Sequence, residues 1–179
     1  MKTLLAISRF IDNVNERISH IAAWCVLLAC VISTANALIR YSLSSSTNAW
    51  LEIQWYLFGG MFLLGASHTF KVNGHVRVDL FYGMLSQRAQ VWLDLICTIL
   101  FMMTAVTIIT FLSWPFFVES WSIHEMSNNA GGLVRWPVKL LLPIGFGLLM
   151  LQGFSEIIKR IGILMGLAPP GPQYEKLTQ

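Results

Sequence analysis

His20 and His68 are the first candidates for chemistry in this chain, because each falls at the same end of a long apolar stretch. Imidazoles from two facing helices can ligate a b-type haem through their ring nitrogens. Water or lipid headgroups satisfy an interfacial histidine equally well, so the pair alone carries little specificity. His75 and His124 fall in polar connections. The acids form two sets. Glu52, Glu119 and Glu125 lie toward the opposite ends of the apolar stretches, where they suit either docking of a soluble partner or simple solvation. Asp94 and Glu156 lie near the ends that His20 and His68 share, within helical reach of Arg88 or Lys159. A proton or ion relay needs an acid at mid-depth in the membrane, and these two are too shallow. Cys25, Cys30 and Cys97 match no zinc spacing and read as small apolar side chains. No nucleophile–base set, Walker loop or dinucleotide fingerprint is present. The residues therefore predict no enzyme, no metal and no cofactor.

The elements that position these groups follow from composition. Of 179 residues, 55% are apolar and only 12% charged, against roughly 45–50% and about 25% in soluble domains. So few charges cannot coat a soluble globule. The net charge of +3 gives no reason to expect nucleic acid. Charge is absent from residues 21–39, 53–70, 95–118 and 140–155. A membrane-crossing helix needs about 20 residues. The first three stretches fit directly, and Lys139 and Lys159 can snorkel from the ends of the fourth. The expected fold is an all-α integral membrane protein in the lipid bilayer, with four transmembrane helices over about 21–40, 50–70, 89–114 and 137–159. Residues 1–20 read as a cytoplasmic amphipathic lead-in, 21–161 as the membrane domain, and 162–179 as a disordered cytoplasmic tail.

Lysine and arginine orient these spans. With both termini in the cytoplasm, Lys2, Arg9, Arg17, Lys71, Arg77, Arg88, Lys159, Arg160 and Lys176 lie inside and only Arg40, Arg135 and Lys139 outside. That is the positive-inside bias. Trp50, Trp55, Trp114, Trp121 and Trp136 then fall near the outer interface, and Trp24 and Trp92 near the inner one. Ala35-Asn36-Ala37 resembles a signal-peptide cleavage site, but the long preceding region carries Asp12 and Glu16, so cleavage is not expected.

Within the spans, Cys25, Ala29, Ser33 and Ala37 recur every four residues and form a small-residue stripe that lets another helix approach. Glu52 sits in an opening helical turn, where the helix dipole favours a carboxylate. Asn73-Gly74 predicts a chain reversal, followed by a short surface helix over 79–85. Ser86 is placed to cap the third span. Thr104, Thr107 and Thr110 are expected to bond back to the preceding turn. Pro115 is expected to bend or end its helix. Pro137 suits a first helical position, and Pro143 should kink the fourth span.

Several of these segments together resemble a known family. They are Trp50-Leu-Glu52-Ile-Gln-Trp-Tyr-Leu-Phe58, Leu63-Leu-Gly-Ala66 and Asn73-Gly-His-Val-Arg-Val-Asp79. The chain is similar in them to the small membrane subunit, DctQ type, of tripartite ATP-independent periplasmic (TRAP) transporters. Asn128-Asn-Ala-Gly-Gly-Leu133, Trp136-Pro137 and Pro143-Ile-Gly-Phe146 look like the branch often labelled mannitol/chloroaromatic. Many members open the second span with two adjacent acids; here the first position is Leu51 and only Glu52 remains.

The resemblance implies a bacterial inner-membrane subunit of a sodium-driven, binding-protein-dependent secondary transporter for organic anions. The implied partners are a large multi-span elevator-type permease subunit, which this chain would brace, and a periplasmic solute-binding protein. It implies a structural hinge at Asn73, Gly74, His75, Arg77 and Asp79. Candidate partner contacts are Cys25, Ala29, Ser33, Ala37, Trp50, Glu52, Glu119 and Glu125. Two other classes compete: a haem b-binding anchor of an electron-transfer complex, resting on His20 and His68, and a small four-span exporter, which expects a glutamate in its first span that this chain lacks.

Overall fold

The computed structural model describes residues 2–44, 47–74 and 82–169. Four long helices account for most of them: α1 (Lys2–Leu43), α2 (Asn48–Lys71), α3 (Gln87–Ser122) and α4 (Trp136–Leu164). No strand occurs among the described residues; the only bridge is an isolated one between Met126 and Val134.

The amphipathic lead-in and the first apolar stretch are one continuous helix of 42 residues. At about 1.5 Å per residue it reaches roughly 63 Å, twice a hydrocarbon core of about 30 Å. Nothing between Ser19 and Ala22 breaks helical geometry, so the polar-to-apolar change is a change of surroundings and not of backbone. α3 begins where Ser86 accepts a hydrogen bond from the Ala89 backbone N–H at 3.4 Å. It opens into a π-helical turn over Thr98–Met103 and then runs through Pro115 to Ser122. Pro115 thus does not end the helix: a proline removes one backbone bond, and helical pairing resumes on either side. Pro137 occupies the first turn of α4, and Pro143 lies within it. Thr110 and Thr104 bond back to Val106 O (2.7 Å) and Ile99 O (3.5 Å). Thr107 departs from that expectation and reaches Met150 Sδ at 3.7 Å.

α4 packs against each of the other three helices. Contacts pair Glu16 with Lys71 and Ala22 with Gly65, so α1 and α2 run antiparallel. Arg160 meets Thr98 and Trp136 meets Trp121, so α3 and α4 also run antiparallel. Small residues set the spacing. A Cβ built on Gly145 would lie 2.7 Å from Leu63 Cβ and 2.8 Å from Leu63 O, so only glycine lets α2 and α4 come this close.

The interior is not the apolar core of a soluble bundle. Ala22, Ala29, Val91, Leu95 and Val106 are its buried hydrophobic residues, while Ser8, Asn15, Glu52, Ser67, Gln152, Ser155, Glu156 and Arg160 are buried with them. Large apolar side chains such as Phe10, Trp24, Phe62, Phe101, Phe111 and Leu112 point outward. Apolar outside with small and polar inside is the arrangement a lipid environment selects, because lipid is as apolar as leucine and packing relies on close approach and hydrogen bonds. Three helices, α1, α3 and α4, are long and apolar enough to cross a membrane. α2 is not among them; Asn48, Glu52, Gln54 and His68 dilute its apolar character.

Asn73 has φ +52°, and Gly74 N–H bonds Thr69 O at 2.9 Å, which ends α2. The other hinge residues, His75, Arg77 and Asp79, lie outside the described residues, as do residues 79–81 of the segment expected to form a surface helix; its remainder, 82–85, is mainly a turn in which Leu85 N–H bonds Tyr82 O at 3.2 Å.

Candidate functional site

Polar side chains gather at two ends of the bundle. At the basic end, α1 is stitched to α4. Ser8 Oγ and Ser155 Oγ are 2.7 Å apart, and Asn15 Nδ2 donates to Gln152 Oε1 at 2.7 Å. Asp12 accepts from Gln152 Nε2 at 2.9 Å and Ser155 Oγ at 2.8 Å, and pairs with Lys159 Nζ at 2.7 Å. Lys159 also meets Glu156 at 2.7 Å. Arg160, 2% exposed, carries the connection to α3: it donates to Thr98 Oγ1 at 2.7 Å and lies 3.9 Å from Asp94 and 4.0 Å from Glu156. Tyr82 Oη donates to Asp94 at 3.0 Å. Lys71 Nζ joins α2 to α1 through Glu16 at 2.8 Å.

Isolated charges would not survive here. Ionised groups removed from water need partners and hydrogen bonds to offset desolvation. The expected Glu156–Lys159 pair is present, and Arg88 is exposed. The larger network across helices was not expected: Glu156 and Arg160, just past the charge-free stretch 140–155, are buried in the bundle. Thr98 opens the π-helical turn, so the same arginine that collects the carboxylates also fixes the widened turn of α3. Gly153 faces Met102 and Met103 of that turn closely enough that a Cβ would meet their sulfur atoms.

At the loop end, one carboxylate organises a loop. Glu52, 4% exposed, accepts from Ser127 Oγ, from Asn129 Nδ2 at 2.8 Å and from the Leu133 backbone N–H at 2.6 Å. Asn48 Nδ2 donates to Ala130 O at 2.9 Å, and Tyr56 Oη donates to Val134 O at 3.1 Å. Inside the loop, Ser127 N bonds Leu133 O at 2.9 Å and Arg135 N bonds Glu125 O at 2.9 Å. Gly132 is required by close approach: a Cβ there would lie 2.9 Å from Glu52 Oε1. Glu125 is paired with Lys139 and, at 3.8 Å, with Arg135. The Lys139 ammonium holds the Glu125 carboxyl below its ordinary range, with Arg135 adding to the effect.

The remaining candidates spread over the surface. Cys25 is half-buried against Gly60, and Ala29 is buried. Ser33 and Ala37 are exposed and line an open groove of about 450 Å³ with Arg40, Leu51 and Gln54. Trp50 and Glu119 are exposed. His20 is exposed and His68 half-buried.

This arrangement is a helical bundle with an inverted core and charged groups paired at its two ends. Set beside known families, the sequence matches the DctQ component of tripartite ATP-independent periplasmic transporters over residues 29–162, well over half of the chain. The chain belongs to the DctQ family. No curated protein matches it in sequence. The DctQ component is a transporter part and not an enzyme, and it works with a large permease and a periplasmic binding protein. This DctQ-family chain is accordingly a membrane protein of a transport system, the small membrane subunit that its sequence resembles.

Proposed function

We propose that this chain is the small permease subunit of a sodium-driven, binding-protein-dependent transporter for organic anions such as carboxylates. It lies in the bacterial inner membrane and braces the scaffold of a large elevator-type subunit. One observation carries the reading. The charged groups described inside the bundle close on one another or on a loop, at its two ends, and so serve to fix helices and not to hold a passing solute. α2 is the fourth span in this account. Its polar groups Glu52 and Ser67 are buried against the protein, while Trp55, Phe58 and Phe62 face outward. Both termini are cytoplasmic on the distribution of Lys and Arg. Reporter fusions after Gln179 and within residues 44–47 test the topology. A cytoplasmic signal from the first and a periplasmic signal from the second are expected; a periplasmic C-terminus overturns the orientation.

A further inference from the structure

α3 changes its buried face at the π-helical turn. Before the turn it buries Val91, Leu95 and Thr98. The same helical spacing carried onward would bury Ala105, Ile109, Leu112, Phe116 and Glu119. All of these are exposed. The buried and half-buried positions are instead Val106, Thr110, Ser113, Phe117 and Ser120, each one residue later. A turn closed by i→i+5 bonds holds one residue more than an α-turn. The turn over Thr98–Met103 therefore absorbs a residue, and the second half of the helix, Thr104–Ser122, is rotated by it. The rotation is about 100°, one residue's worth of helix. Without it Leu112, Phe116 and Glu119 would point into the bundle in place of Ser113 and Ser120.

Contacts from α4 hold the widened turn. Arg160 donates to Thr98 Oγ1 at its start, at 2.7 Å. Gly153 leaves it room: a Cβ there would lie 3.2 Å from Met102 Sδ and closer still to Met103 Sδ. The two halves of α3 are packed unequally on either side. Beyond the turn, Trp121 meets Trp136 edge-on at 4.4 Å and Thr107 reaches Met150. Before the turn, Gln87–Cys97 has open space on two flanks. A cavity of about 320 Å³ separates Leu93 and Cys97 from Phe70. Another of about 260 Å³ lies between Arg88 and Val91 on one side and Ile163 and Leu164 on the other. Helices bend where the ladder of backbone bonds is interrupted by a π-bulge. We propose that Thr98–Met103 is a joint on which the Gln87–Cys97 half of α3 swings into these spaces, with the Arg160–Thr98 hydrogen bond as its latch.

The test uses the full chain in lipid nanodiscs, with Cys25, Cys30 and Cys97 replaced by alanine and spin labels attached at introduced cysteines. One pair, at positions 88 and 151, spans the joint; a second, at 108 and 151, reports the packed half. All three positions are exposed. The distance distribution of the first pair should be about twice as broad as that of the second. Thr98→Val removes the latch and should broaden the first pair further without changing the second. Deleting Leu100 removes the extra residue and leaves both buried faces in line. It should narrow the first pair to the width of the second, with folded yield as in the undeleted chain. Equal widths in the undeleted chain overturn the joint, as does a Leu100 deletion that leaves the first pair broad or loses the folded subunit. A Thr98→Val chain with an unchanged first pair overturns the latch.

Discussion

The two ends of the bundle use buried charge in opposite ways. At the basic end, Asp12, Asp94, Glu156, Lys159 and Arg160 join α1, α3 and α4 to one another. At the loop end, Glu52 joins a helix to the loop over residues 127–133. The first arrangement has its effect on the helices themselves. The second leaves helix contacts alone and acts on the shape of an exposed segment. A bundle without a conventional apolar core therefore draws cohesion from one end and surface definition from the other.

The largest expected effect comes from breaking the basic end. Arg160→Ala takes the buried guanidinium away from Thr98 and from the half-buried Asp94, while Glu156 keeps Lys159 at 2.7 Å, so the cost falls below the roughly 3–5 kcal/mol of a buried pair broken outright. Thermal unfolding of the purified subunit should show a lowered midpoint, and a wild-type midpoint would remove the distinction between the ends. Gly145→Val tests packing without charge. Its side chain must enter the space held by Leu63, and overpacking of this kind costs about 1–3 kcal/mol. Glu52→Gln should leave helical circular dichroism and the unfolding midpoint close to wild type while making residues 126–134 more sensitive to limited proteolysis. A midpoint shift as large as that of Arg160→Ala would show that the loop end also supports the bundle.

The smallest effect is a pH dependence at Glu125. Its carboxyl lies below the ordinary value in the folded chain, so the folded state binds fewer protons than the unfolded state as pH falls. The stabilisation is therefore complete above the unfolded value of 4.5 and is lost as pH drops through the folded value. Proteolytic protection of the loop should decline over that acid range, and Glu125→Gln should lessen the decline, the Glu52 carboxylate accounting for what is left.

Much of the fold was legible from local pattern. The Ser86 cap, Pro137 in the first turn of α4 and the Glu156–Lys159 pair each depend on residues within a turn or so of one another. The apolar stretches over 53–70 and 140–155 lie within α2 and α4, which extend beyond them at both ends. What the sequence hid is pairing at long range. Asn15 meets Gln152, and Glu52 meets Leu133, across separations that no periodicity encodes. One signal was available. A lone acid in an apolar helix, together with a Ser-Asn-Asn-Ala-Gly-Gly segment elsewhere, supplies an acceptor and the donors it needs. The continuity of α3 through Pro115 was hidden for another reason: whether a proline ends a helix depends on the helix resuming beyond it.

The central claim is that this subunit braces a transporter and moves no solute itself. Uptake of labelled organic anion into sodium-energised proteoliposomes tests it most directly, with the purified chain alone compared against the chain plus large subunit and binding protein. The account predicts uptake only in the complete system and background counts for the chain alone. Solute accumulation by vesicles containing this chain alone would contradict it.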